Sequence, residues 1–555
     1  MRSILFIFSL IIINLTVSVA QPVTFTWSRS IGGKSTLPGK ISMARDSNGD
    51  IYVFGQFSGS RSFGSVSLTS SGSSDVFIAK MSAFGPILWA VKGGSSFSSA
   101  TAGEIVVSGS NIYITGSFSN FISFGTTCAT TGSGSNNTDV FIASLNTADG
   151  SCNWVVKAEG PNDAVGSSIS NATGGGVYVS GTFSGTATFG TFNLNTSGAV
   201  DADIFYAKYT STGTCEWARS LGNLGTETAG SIKEVSSNQI IMNGGYEGSI
   251  NTPAGNVVSS GAQDFFLTKF NNQGNITWIT SGGGPDTDLG ISLDVDTAGN
   301  IYSAGIMGNN VIFGSISIPI QQNINVLITK HSPNGVCQWV RTGGTMVDDV
   351  AQAVCTDPNG SSYVTGYVSG NAAFTTTTGS VNLTGIQGYD SYVVKYNTFG
   401  ALVWITKIGS PGFEIGKAII YDAAGNCFNA GEFDGTLSLT ANPISAPGGG
   451  VYGNYVTKLG GGSVGMGETI AENFKVYPNP ASSFVNIDLS PVTDLAFTLE
   501  LFDVQGRSVK SMLLSESDAT DDFRLSTEGL SSGQYLLRLF TSKGDISIPL
   551  VISRN

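Results

Sequence analysis

The 555-residue chain holds a single histidine, His331. That argues against a His-built metal centre and against a Ser-His-Asp triad. Charge is equally scarce: 12% of residues are charged, about half the ~25% of ordinary domains. Acids outnumber Lys and Arg, 39 to 26, for a net charge of −13. Nucleic-acid binding needs clustered positive charge, so this balance excludes it as a partner. Beyond the first twenty residues no run is long and apolar enough to span a bilayer. The six cysteines include no C-x-x-C pair, which removes the usual metal and redox spacings. Glycine is the exception, at 74 residues, well above the typical ~7%. With 41% hydrophobic residues a core is available, and the profile is that of many short strands joined by tight turns.

The N-terminus has the layout of an export signal. Arg2 supplies the positive start, Ile4 to Val17 is almost wholly apolar, and Ser18-Val19-Ala20 is a small-x-small cleavage site. Residues 1–20 are therefore expected to be removed, and export implies an oxidising compartment. Composition shifts again near residue 465. Residues 470–555 contain only four of the glycines, no Trp and no Cys, and are richer in charge. The expected organisation is a domain over 21–459, a Gly-rich linker over 460–469 and a second domain over 470–555.

Seven tryptophans, Trp27, Trp89, Trp154, Trp217, Trp278, Trp339 and Trp404, are spaced by 62, 65, 63, 61, 61 and 65 residues. That is an internal repeat. Six of them follow a Gly by four positions, from Gly85 to Gly400, and each such Gly closes a turn between strands. An apolar strand precedes the turn, as in Phe77 to Lys80 or Phe205 to Lys208. A Gly-rich loop then leads to a first strand, often a D-x-x-G turn such as Asp46 to Gly49, and a strand ending near a Gly such as Gly55 or Gly431. Each unit thus supplies four short strands. The Trp27 strand has no preceding partner, and Tyr455 to Lys458 has no following Trp. A closed ring needs that complement and an open solenoid does not. The pattern predicts an all-β protein: a seven-bladed β-propeller closed by its N-terminal strand, followed by a small β-sandwich.

On these residues the repeat, over about 22–459, resembles the bacterial β-propeller repeat of secreted and surface proteins, the SBBP type. The G-x-x-x-W element is also similar to the tryptophan-docking repeat of quinoprotein dehydrogenases, but the Ala-x-Asp that precedes it there is missing. The C-terminal segment carries Tyr477-Pro478-Asn479-Pro480, then Leu501-Phe502-Asp503-Val504-Gln505-Gly506-Arg507, then Gly533-Gln534-Tyr535, and an apolar end, Leu550-Val551-Ile552. It resembles the C-terminal sorting domain of the type IX secretion system of Bacteroidetes. Pro549 stands where that pattern often has Lys. The resemblance implies that residues 470–555 engage the type IX machinery, with Tyr477, Pro478, Asn479, Pro480, Gly506, Gly533 and Tyr535 as the sorting signal. It also implies passage through the periplasm to the outside or the outer cell surface.

Candidate chemistry lies in the loops leading into the first strands, which carry Asp163, Glu227, Asp288, Asp349 and Glu414. In a propeller these strands line the channel, so five carboxylates would ring one mouth and could hold calcium or a hydroxyl-rich ligand. The competing reading makes each acid a cap for its own loop. A second set, Asp75, Asp139, Asp203, Asp264 and Asp390 with Asn325, and the D-x-x-G acids read as turn formers. Cys128 and Cys152, in one unit, are the expected disulfide, since equivalent cysteines of different blades are too far apart. His331 is expected in an exposed hairpin turn. No cofactor is indicated.

Two function classes follow. One is a secreted or surface-exposed binding or adhesion module that recognises glycan or protein through a propeller face. The other is a propeller enzyme acting on polysaccharide, a glycosidase or lyase, with paired carboxylates. The likeness of the units weighs against catalysis, because a catalytic centre breaks repeat symmetry.

Overall fold

The computed structural model describes residues 24–460 and 475–554, apart from 36–38, 135–136, 199–200, 224, 237, 320–322, 378, 386–387, 423–424, 441–442, 447–451, 491–495, 504–507, 519, 521 and 542–543. The segment expected as a signal peptide and most of the expected linker lie outside the described residues. Val23–Ser463 is one compact unit, and Val464–Asn555 belongs to a second. The described elements are β-strands and a single 3-10 turn, Glu516–Asp518.

In the larger unit each repeat folds into a four-stranded antiparallel meander. The first is Ile41–Arg45, Ile51–Phe57, Asp75–Met81 and Ile87–Gly94, from inside to outside. Its two middle strands are buried on both faces, so they read as nearly continuous apolar runs, IYVFGQF and DVFIAKM. The outer strand alternates, as a half-exposed strand must. A Gly in the second strand faces a ring on the third: Gly55 pairs with Phe77, Gly181 with Phe205 and Gly431 with Tyr455. A Cβ on Gly181 would lie 2.6 Å from the Phe205 ring. The repeated glycine therefore makes room for an aromatic side chain that fills the blade.

The sequential meanders make six blades, and the ends of the repeat make the seventh. Glu414–Tyr421, Cys427–Phe433 and Tyr452–Leu459 are joined by Phe25–Ser35 as the outer strand. The register is the same as elsewhere: Trp27 lies opposite Lys458 as Trp89 lies opposite Lys80 and Trp217 opposite Lys208. Innermost strands neighbour one another in order, and Glu414–Tyr421 returns to Ile41–Arg45. A single core cluster crosses this seam, with Trp27, Phe428 and Val456 packed with Ile51 and Phe77.

One element departs from the four-strand expectation. Between second and third strands the chain makes an extra hairpin, for example Ser60–Phe63 with Val66–Thr69 or Phe121–Phe124 with Cys128–Thr131. These hairpins reach back to the preceding blade. Ser123 and Phe124 pair with Gly94 and Gly93, and Phe374 pairs with Gly343.

The smaller unit has two sheets. Ala496–Asp503, Ser508–Ser515, Gly533–Thr541 and Gly544–Ile552 form one. Val476–Tyr477, Phe484–Ile487 and Phe523–Ser526 form the other. Val485, Ile487, Leu499, Leu537 and Leu550 belong to one shared core, the arrangement of a β-sandwich.

Candidate functional site

The tryptophans are placed between blades. The Trp154 indole donates to the Ser211 carbonyl at 2.9 Å, Trp217 to Asn272 at 2.8 Å and Trp339 to Thr398 at 3.2 Å. Trp27 does the same across the seam, to Ala83 at 3.3 Å. Each acceptor lies in the hairpin turn of the next blade. The turn glycine has φ near +73° at Gly150, and a Cβ there would sit 2.9 Å from the Trp89 ring. The G-x-x-x-W spacing thus joins a turn to the indole of the preceding blade as well as to its own.

The loop acids were expected around the channel mouth. None of the five lines the channel cavity. Asp288 accepts from the Gly284 and Gly308 amides, both at 2.8 Å. Asp349 accepts from the Thr345 amide, from the Thr345 hydroxyl at 2.9 Å and from the Ser369 amide at 2.9 Å. Glu414 accepts from the Ser410 amide at 2.9 Å and its hydroxyl at 2.5 Å. Asp163 is exposed and accepts from Thr138. Glu227 is buried beside the Asn223 backbone of its own loop. The physical reason is local: backbone N–H groups of a tight loop draw the carboxylate inward.

The two acid sets meet inside the blades. A Cβ on Gly222 would meet both Asp203 and Glu227, and one on Gly344 would meet both Asn325 and Asp349. Burial, with the neighbouring acid adding to it, pushes Glu227 up to about 8, and burial lifts Asp288 and Glu414 to about 7. Among the described residues no group of three or more His, Cys, Asp or Glu side chains is arranged to hold a metal ion. The D-x-x-G acids cap their turns: Asp46 accepts from the Asn48 and Asp50 amides, and Asp296 from Ala298 and Asn300.

His331 corrects the expectation of exposure. It ends the strand Asn325–His331, is buried, and stacks on Phe265 with centroids 5.9 Å apart. Burial lowers it to about 4, so it stays neutral. The ring is buried because this third strand of its blade is paired on both sides and covered on both faces. Cys128 and Cys152 form a disulfide; Cys215, Cys337, Cys355 and Cys427 are free.

The central channel is where the blades differ. It is a cavity of 690 Å³ walled by the innermost strands. At one level of the wall stand Ser42, Ser168, Ser231 and Ser292, whose hydroxyls bridge adjacent strands; the Ser42 hydroxyl accepts from the Ile105 amide and Ser168 from Ile232. The charged lining is Lys40, Arg45, Lys233 and Lys417, with Glu104 and Asp294. Lys233 pairs with Asp294 at 2.9 Å. Glu104 accepts from the Ser168 hydroxyl and the Ile169 amide. Lys40 extends to the Ser167 carbonyl, 2.6 Å away and two blades distant. Sequence reading missed these residues, since each occupies one unit only; that break of the repeat was the available signal.

In the smaller unit Tyr477, Pro478, Asn479 and Pro480 are exposed. The Asn479 side chain accepts from the Val551 amide at 2.8 Å, and the Ala481 amide donates to Val551. The Tyr535 hydroxyl donates to Ser531 at 2.9 Å, and Gly533 opens its strand. Gly506 lies outside the described residues.

Two known proteins and one family model resemble parts of this chain. An uncharacterised WD repeat-containing protein of Acanthamoeba polyphaga mimivirus is 28% identical over 231 residues, 35% of this chain. The chain spans 17% of that relative's length. A solved protein of unknown function from Bacteroides caccae aligns with 48% of this chain and 89% of its own at 10% identity, with a TM-score of 0.26. Residues 475–553 match the secretion system C-terminal sorting domain, which marks the chain for type IX export to the cell surface or beyond.

Proposed function

We propose that the chain is an exported binding or adhesion module of the SBBP propeller type, displayed or released through the type IX route, that recognises a glycan or protein ligand at its central channel. The observation that supports this is the symmetry break in the channel. Seven blades supply near-identical scaffolding, while the charged residues at its centre occur once each. Repetition serves stability, and single departures from it serve recognition. The competing reading, polysaccharide cleavage, needs two carboxyl groups free to act as acid and base. Glu104 and Asp294 are instead engaged with backbone and Lys233. The exposed Asp163 and the buried acid pairs sit away from the cavity lining.

The test is a binding screen of the mature chain against an array of glycans, matrix polymers and surface proteins, with product analysis of every bound polysaccharide. Binding without chain cleavage is expected. New reducing ends or unsaturated products would replace this reading with the enzymatic one.

A further inference from the structure

We propose that the channel is an anion-recognition site in which Lys40 and Lys417 hold the carboxylate or sulfate groups of an acidic glycan. This rests on the reading of the channel as the ligand site.

The charge balance carries it. The chain as a whole is at −13, yet its central cavity is lined by four cations and two anions. Both anions are already satisfied. Asp294 is bound by Lys233 at 2.9 Å and by the Thr356 amide and hydroxyl at 2.8 and 2.9 Å. Glu104 is held by Ser168 and by the Ile169 amide at 3.1 Å. Lys233 is therefore spent on Asp294, while Lys40 finds only a neutral carbonyl, that of Ser167. Lys417 makes no hydrogen bond or ion pair among the described residues.

The two lysines belong to adjoining blades at the closure seam, and their charges oppose one another. Burial lowers Lys40, Glu104 offsets this and Lys417 adds to it. Burial lowers Lys417, offset by Glu432 behind it. Two ammonium groups lining one cavity, with donors unspent, are complementary to an anionic oxygen group.

Cavity size and the remaining lining favour a saccharide. At 690 Å³ the cavity lies within the ~300–1,000 Å³ of small-ligand sites and is too small for the face of a folded protein. Gln352, Thr356 and Tyr421 add amide and hydroxyl groups that suit sugar hydroxyls.

The test is titration calorimetry of the mature chain with polygalacturonate oligomers, dextran sulfate, neutral dextran, poly-glutamate and inorganic sulfate. The variants are Lys40→Gln/Lys417→Gln, the charge-keeping Lys40→Arg/Lys417→Arg, and an outer-strand control with the same charge change, Lys157→Gln/Lys407→Gln. Expected is saturable binding of an acidic polysaccharide that the Gln pair weakens at least tenfold, about the worth of one charge-assisted hydrogen bond. The Arg pair and the control should bind within threefold of wild type. The polygalacturonate and dextran sulfate arms decide between carboxylate and sulfate. Equal loss in the outer-strand control, or tighter binding of poly-glutamate, overturns the proposal. Channel-dependent binding of neutral dextran alone would overturn the anion assignment and leave the channel as ligand site. No binding in any arm, together with a ligand mapped by the wider screen to another surface, would overturn both. Unchanged melting temperatures separate lost recognition from lost folding.

Discussion

Arg61 is the clearest residue out of place. It occupies the first buried position of its extra hairpin, where the other units have Ile122, Ala187, Ile250, Val311, Ala372 and Leu437. It is 2% exposed, and none of its three guanidinium nitrogens has a hydrogen-bond partner among the described residues. Burial lowers it to about 10, with Glu432 pulling the other way. Replacing a poorly compensated buried charge by an apolar group of similar volume is neutral or stabilising by about 1–4 kcal/mol. Arg61→Leu is therefore expected to raise the urea midpoint; a clear fall would reveal a partner that Arg61 serves. The buried acids make stability depend on pH. Glu227, Asp288 and Glu414 are raised in the folded state, so their share is full below the unfolded values near 4 and is lost as pH rises to about 7–8. His331 is lowered, so its share is full above about 6.5 and is lost as pH falls through 4. Three raised acids outweigh one lowered histidine, so stability is expected to decline from about pH 5 to 8, and Glu227→Gln should make that decline shallower in urea denaturation measured from pH 5 to 9. Little of this was legible in sequence. The acids were visible as a set, but whether a carboxylate faces a channel or turns into its own loop depends on which amides the fold brings within reach. His331 sits one residue from a turn, and its burial follows from ending a middle strand that is covered on both faces.

At the scale of elements the sequence was most legible where a residue type repeats at a fixed register. The Trp–Lys pairs, the second-strand glycines and the D-x-x-G turns recur in most units, so the four-strand meander could be written down in advance. The extra hairpins were not foreseen because their strands are two to four residues long and several, like Ser60–Phe63, carry Ser or Thr and so resemble loop. Their role appears only in three dimensions, where Phe124 meets Gly93 of the preceding blade. The closing strand offers a sharp test. Trp27 and Trp217 are each 8% exposed and each donates to the next blade. Trp27→Ala and Trp217→Ala are expected to destabilise alike, by about 3–5 kcal/mol, read from chemical denaturation. Removing residues 22–31 strips the outer strand from Tyr452–Leu459 and leaves an unpaired edge, which invites aggregation. A shortened chain that stayed monodisperse with an unchanged melting temperature would contradict closure by the N-terminal strand.

The chain combines two folded units, and sequence composition already divided them: glycine and tryptophan concentrate before residue 465, and charge is denser after it. The ring in Val23–Ser463 closes on itself through its own first strand, so its folding does not require the C-terminal sheets. The sorting segment, in turn, has a core of its own around Leu499, Leu537 and Leu550. Export is therefore expected to be separable from folding. A chain ending at residue 465 should fold and keep its Cys128–Cys152 bond, yet accumulate in the periplasm. The full chain should reach the surface or the medium. Fractionation of producing cells, with protease shaving of intact cells, reads the difference directly. Within the sorting unit Asn479 fastens the Tyr477–Pro480 segment to the last strand by accepting from Val551. Asn479→Ala should cut export efficiency while leaving the propeller's melting transition unchanged. Surface display of the truncated chain at the level of the full one would remove the sorting role from residues 470–555. A lowered propeller transition in Asn479→Ala would contradict the independence of the two units.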